Sequence, residues 1–140
     1  MRARPRWWFA VAQACVLLPC VRLLLMMVGY RRTMRMLAFV GGSPSPHHQA
    51  AVPQAVKEAS GAVMAVGRLL PIHTRCLARS ITIWLLSRRR GHAVVVVIGV
   101  AKSAREHQLA AHAWVEYAAI PVNDSADVRT RYAVLAVSPP

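Results

Sequence analysis

The spacing of apolar residues changes character along this chain, from helical in the first 90 residues to alternating in the last 50. Trp7 to Tyr30 is apolar at almost every position, interrupted chiefly by Gln13, Pro19 and Arg22. Three readings fit this run. A signal peptide suits the basic start MRARPR, but the run is long and no A-x-A-like site closes it. A transmembrane helix fits by length, against the interruptions. An N-terminal helix or helix pair burying Leu17, Leu18, Leu24 and Leu25 accommodates Arg22 best and is preferred. Arg31 to Val40 continues as a short basic amphipathic helix with Met34, Leu37 and Ala38 on one side.

GGSPSPHHQ is rich in breakers and reads as a loop, with His47 and His48 solvated. Pro53 suits the first residue of a helix running to about Leu70, with Val56, Ala59, Val63, Val66 and Leu70 recurring. Gly61 and Gly67 weaken it intrinsically and would permit close packing, which the sequence does not itself show. Pro71 ends that helix, and Thr74 suits the N-cap of the next. Leu77, Ile81, Trp84 and Leu85 then form a stripe, and Arg88 to Arg90 fall where the dipole favours cations. Gly91 follows as a stop. Ala93 to Val100 reads as a strand covered on both faces. Leu109 to Tyr117 alternates, Ile120 to Val122 is short, and Arg131 to Val137 alternates again. Helices followed by an antiparallel sheet define an α+β fold. The breaks divide the chain into an apolar, basic helical segment (1–40), a loop (41–52) and a core (53–140).

Charge narrows the function classes. Eighteen basic residues stand against five acidic ones, a formal net charge of +13, and no carboxylate precedes Glu58. Such a balance suits an acidic partner: a peptide, an anionic lipid surface or nucleic acid. Aromatics are 6% of the chain and do not interleave with the basic residues, which argues against nucleic acid. Cys15, Cys20 and Cys76 are odd in number and form no disulfide framework, as in a reducing, cytoplasmic setting. Cys15 and Cys20 read as buried small apolar residues. With no CxxC or HxxxH, no metal and no cofactor is expected.

Three residues carry candidate chemistry. Cys76 opens a helix, where unpaired N–H groups and the dipole favour a thiolate and supply donors for an oxyanion. Arg75 and Arg79 add positive charge beside it and are candidates to contact substrate. His112 lies on a strand face with Trp114 and Glu116, and the opposite face looks like the core side. His112 and Trp114 are therefore expected to border a cleft. Positions 112 and 124 are equidistant from 118, so a three-residue loop of Tyr117, Ala118 and Ala119 sets His112 opposite Asp124. Paired positions have Cβ atoms about 4.5–5.5 Å apart, close enough for an imidazole–carboxylate bond. That loop lacks the Asn-Gly of a favoured tight turn. Asp124 also reads as a turn residue with Asn123, and Asp127 is the alternative acid.

Taken together, CLARSITIWLLSRRRG, VVVVIGVAK, and AHAWVEY followed by PVND resemble the transglutaminase-like cysteine peptidases of lasso-peptide biosynthesis, the stand-alone leader peptidases among the B proteins. The similarity covers about residues 65 to 137. It implies a transglutaminase-like, papain-like core in which Cys76, His112 and Asp124 match the family's nucleophile, base and orienting acid. It implies removal of the leader from a ribosomally made precursor through a thioester. It also implies a separate leader-recognition protein acting in trans, since no such domain is seen here, and an ATP-dependent macrolactam cyclase acting afterwards. Lys102 to Gln108 and the alanines at 118 and 119 depart from expectation without touching these three residues. The alternative is a small, basic, membrane-associated binding protein without catalysis. Peripheral contact with the inner face of the membrane is compatible with either reading. Acyl transfer to an amine would use the same three residues.

Overall fold

In the computed structural model, which describes residues 5–45, 49–70, 76–101 and 110–140, the front of the chain is a helix pair broken at Gly29. Helix α1 is Pro5–Val28 and α2 is Tyr30–Gly41. Gly29, at φ 80°, adopts the left-handed turn between them that a side chain resists. Helix α3 is Gln54–Leu69, beginning immediately after Pro53. Helix α4 is Cys76–Arg89, and Gly91 closes its C-terminal side at φ 83°. Strands β1 (Val95–Ala101), β2 (Ala111–Tyr117), β3 (Ile120–Pro121) and β4 (Tyr132–Val137) form an antiparallel sheet in the order β3-β2-β1-β4. One turn of helix, α5 (Val128–Arg131), precedes β4. The expected α+β class holds. Thr74, Arg75, His47, His48 and the Lys102–Gln108 segment lie outside the described residues.

Helix α4 is the centre of the molecule. Its sequence suggests one apolar stripe, yet Ala78 and every position from Ser80 to Ser87 are buried. The reason is that α1, α2 and α3 cover the sides the sheet leaves open. Leu18 and Val21 of α1, Met34 and Leu37 of α2, and Val56, Val63 and Val66 of α3 join Ile81, Trp84 and Leu85 in one core. The sheet contributes Val96, Val115 and Tyr117. Leu17, Leu24 and Leu25 are half-buried against it. Gly61 is needed for this packing, since a Cβ there would stand 3.1 Å from the Trp7 ring.

The opposite face of the sheet is also covered. Val97, Trp114 and Val128 form a second small core with Val95 and Tyr132. Gly99, in the middle of β1, makes room for it: an added Cβ would lie 3.0 Å from both the Trp114 ring and the Ala133 carbonyl. Trp114 is therefore wholly buried, and the expectation that it borders a cleft is corrected.

The β2–β3 hairpin differs from expectation by one residue. Tyr117 pairs with Ile120 and Glu116 with Pro121, leaving a two-residue turn of Ala118 and Ala119 rather than three residues. Both alanines have positive φ, 47° and 64°, as a two-residue turn of this hand requires. Left-handed backbone costs a side chain roughly 1–2 kcal/mol per residue. Replacing Ala118→Asn and Ala119→Gly together should therefore raise the urea unfolding free energy by about 1–2 kcal/mol. An unchanged midpoint would show that the turn stores no strain.

Candidate active site

β3 is only two residues long, so it leaves the N-terminal part of β2 without a strand partner on that side among the described residues. The exposed edge is satisfied another way. After Pro121 the chain bends, and Val122 donates its N–H to the Val115 carbonyl at 2.9 Å. Asn123 then substitutes for a strand: its Oδ1 accepts from the Val115 N–H at 2.7 Å. Its Nδ2 donates to Ser80 Oγ on α4 at 3.3 Å. Ser80 Oγ in turn donates to the Ala113 carbonyl at 3.1 Å. Four groups from three elements are thus closed into one small network on the edge of β2.

That network carries the residues on either side of it. Asp124 follows Asn123 around the edge, and its Oδ2 meets His112 Nε2 at 2.5 Å. The contact expected from sequence is present, but not for the expected reason. In the actual register Asp124 falls level with Ala113, and only the bend after Pro121 turns its carboxylate toward His112. The other oxygen, Oδ1, accepts from the Ser125 N–H at 2.7 Å and from Arg131 Nη2 at 2.9 Å. Burial pushes the Asp124 carboxyl up, but hydrogen bonds from His112 and Ser125 outweigh it and hold it below its ordinary value of 3.8. Asp127, the alternative acid, is largely exposed, accepts from Ser125 Oγ and pairs with Arg131. It does not bond His112.

The His112 ring is held from two more sides. Trp114 stacks at 5.9 Å between centroids, and Tyr132 reaches it from β4 at 4.9 Å. The Trp114 indole donates to Glu116 Oε1 at 2.8 Å, and Arg129 grips both Glu116 oxygens at 2.8 and 2.6 Å. Burial pushes the Glu116 carboxyl up, yet the bonds from Arg129 and Trp114 leave it below its ordinary 4.5. This buried anion was not singled out from the sequence, where Glu116 looks like one more polar residue in an alternating strand. Trp114 thus supports the histidine from beneath rather than touching a substrate.

Cys76 is the first residue of α4 and is half-buried. It stands one helical turn, about 6 Å of rise, before Ser80 and on the same side of the helix. Ser80 is bonded to Ala113 and Asn123, the immediate chain neighbours of His112 and Asp124. His112 itself shares with Trp114 and Tyr132 the face of the sheet away from α4, and among the described residues no hydrogen bond joins it to Cys76. Asp124 engages Nε2, so Nδ1 is the ring nitrogen that it leaves for another partner. Arg79 is half-buried and engaged in contacts of its own. A cavity of about 590 Å³ lies between α2, α4 and the end of β4, and Cys76, His112 and Asp124 do not line it.

A family model described as the Transglutaminase-like superfamily matches residues 14–137. The chain belongs to that superfamily, which includes cysteine peptidases and transglutaminases. No curated protein and no solved structure matches the chain. The match begins inside α1, so the N-terminal helices fall largely within the family's domain.

Removing Asn123 should cost stability. In Asn123→Ala the Val115 N–H loses its acceptor, a loss of about 1–3 kcal/mol by denaturant unfolding. A change below about 0.5 kcal/mol would mean that water replaces the bond without penalty. Acid should act through the two carboxylates. Both titrate lower when folded than when unfolded, so their stabilisation is complete above about 4.5 and vanishes as pH falls through their depressed folded values. The thermal midpoint should therefore be flat above pH 5 with respect to these groups and fall below pH 4, less steeply in Asp124→Asn.

Proposed function

We propose that this protein is a cysteine peptidase that removes the leader from a lasso-peptide precursor, with Cys76 as nucleophile, His112 as base and Asp124 as the acid that orients it. The observation that carries the reading is the His112–Asp124 contact through Nε2, which fixes the ring and leaves Nδ1 for the thiol. Membership of the superfamily supports the class of chemistry. The lasso assignment rests on the C-L-x-R-S, A-H-A-W-V-E and V-N-D segments that carry Cys76, His112 and Asp124.

In this reading His112 takes the Cys76 proton and the thiolate attacks the carbonyl of the last leader residue. N–H groups in the first turn of α4 hold the oxyanion. The protonated imidazole, stabilised by the Asp124 anion, passes its proton to the departing amine of the core peptide. Water then hydrolyses the thioester, and His112 serves as base a second time. The leader is presented by a separate recognition protein, and the freed amine goes on to an ATP-dependent macrolactam cyclase. Arg75 and Arg79 are the candidates to meet an acidic segment of the leader.

The test is cleavage of the precursor, with and without the recognition protein, followed by mass spectrometry. Cys76→Ala should lose cleavage by several orders of magnitude while melting at the wild-type temperature, and Asp124→Asn should lose on the order of 10⁴-fold in turnover through the wrong histidine tautomer. Full activity in Cys76→Ala would leave the assignment without a nucleophile. Incorporation of an added amine in place of water would reassign the chemistry to acyl transfer.

A further inference from the structure

Helix α1 packs on the core along one narrow stripe, with Ala10, Ala14, Leu18 and Val21 buried. Its solvent side is where the chain is unusual. From Trp8 onward every exposed position on α1 is apolar. Trp8 is 62% exposed, Phe9 and Val16 are each 64%, Leu23 is 56%, and Met26 and Met27 are each 73%. The remaining exposed positions are Ala12, Cys15 and Cys20, so the two cysteines expected to be buried instead face outward, because the buried stripe of α1 runs through Ala10, Ala14, Leu18 and Val21. Trp8 to Met27 covers on the order of 30 Å of helix. On α2, which packs against α1, Phe39 is 90% exposed, and Arg31, Arg32 and Arg35 are exposed as well.

A protein partner is a poor occupant for such a face. Specific protein interfaces place about one hydrogen bond in every 100–200 Å², and this face offers little beyond the Trp8 indole. Lipid needs no such bonds. The flanking charge points the same way: seven arginines and no carboxylate occur in the first 57 residues. A spanning orientation is disfavoured, although α1 is long and apolar enough by composition. Its inward stripe is covered by α3 and α4, and crossing a bilayer would strip it from the core.

We propose that the outer surface of α1 and α2 docks flat on an anionic lipid bilayer. The apolar side of α1 sinks to the boundary between headgroups and acyl chains, and Arg31, Arg32 and Arg35 engage the headgroups. This docking does not depend on the peptidase reading.

The test is co-sedimentation of the full chain with vesicles of phosphatidylglycerol and phosphatidylcholine, compared with phosphatidylcholine alone. Binding should be strong only to the anionic vesicles and should be released by carbonate. Arg31→Gln, Arg32→Gln and Arg35→Gln together should weaken it on the order of 100-fold. Met26→Glu with Met27→Glu should abolish it. All five residues are exposed, so a wild-type melting temperature is expected for both variants and controls for folding. No binding to anionic vesicles would overturn the proposal, as would equal binding to neutral ones. Retention after carbonate would overturn the flat orientation. A dimer abolished by the Met variant, in a chain that ignores vesicles, would reassign the face to self-association.

Discussion

The candidate site depends on how one unpaired strand edge is satisfied. A strand edge presents backbone donors and acceptors that must find partners, and β3 is too short to supply them to β2. The Asn123 side chain and the Ser80 hydroxyl fill that role. Because Ser80 belongs to α4 and Asn123 to the segment after the hairpin, satisfying the edge also joins the start of α4 to the His112–Asp124 pair. The backbone's hydrogen-bonding requirement thereby positions residues whose chemistry is separate from it.

The second constraint is the layer beneath the histidine. A strand face that held only His112 would leave the ring free to rotate. Here Gly99 removes a side chain from β1, and Trp114 and Tyr132 close over the gap and flank the imidazole. Trp114 is in turn fixed by Glu116, and Glu116 by Arg129. A carboxylate only 1% exposed is tolerable because its hydrogen bonds go to a guanidinium and an indole. Orientation of one ring is thus traceable through Trp114, Glu116 and Arg129 to α5.

Periodicity was a sound guide where a segment's environment is simple. Val56, Ala59, Val63 and Val66 recur at helical spacing and are buried together on α3, and Met34 and Leu37 likewise on α2. It failed where tertiary context decides. The stripe on α4 gave no sign that the helix is enclosed on nearly all sides, because that depends on three other helices arriving around it. Alternation misplaces Trp114, because it distinguishes two faces but not whether the second face is covered by a distant turn such as α5. The His112–Asp124 contact was anticipated through a pairing that the hairpin does not make. Alanines at positive φ carry no turn signal, so the register slipped by one, and the bend that restores the contact is visible only in three dimensions. The Ser80–Asn123 bridge joins residues 43 apart, and no local pattern announces it.

The central claim is that Cys76 becomes acylated through a base that Asp124 holds in place. It is tested most directly by acid-quenching the enzyme during cleavage of its precursor and mapping the covalent adduct by mass spectrometry. The account predicts the leader in thioester linkage on Cys76 alone, and no adduct when His112 is replaced by alanine. Leader attached to Cys15 or Cys20, or the same adduct forming on Cys76 without His112, would contradict it.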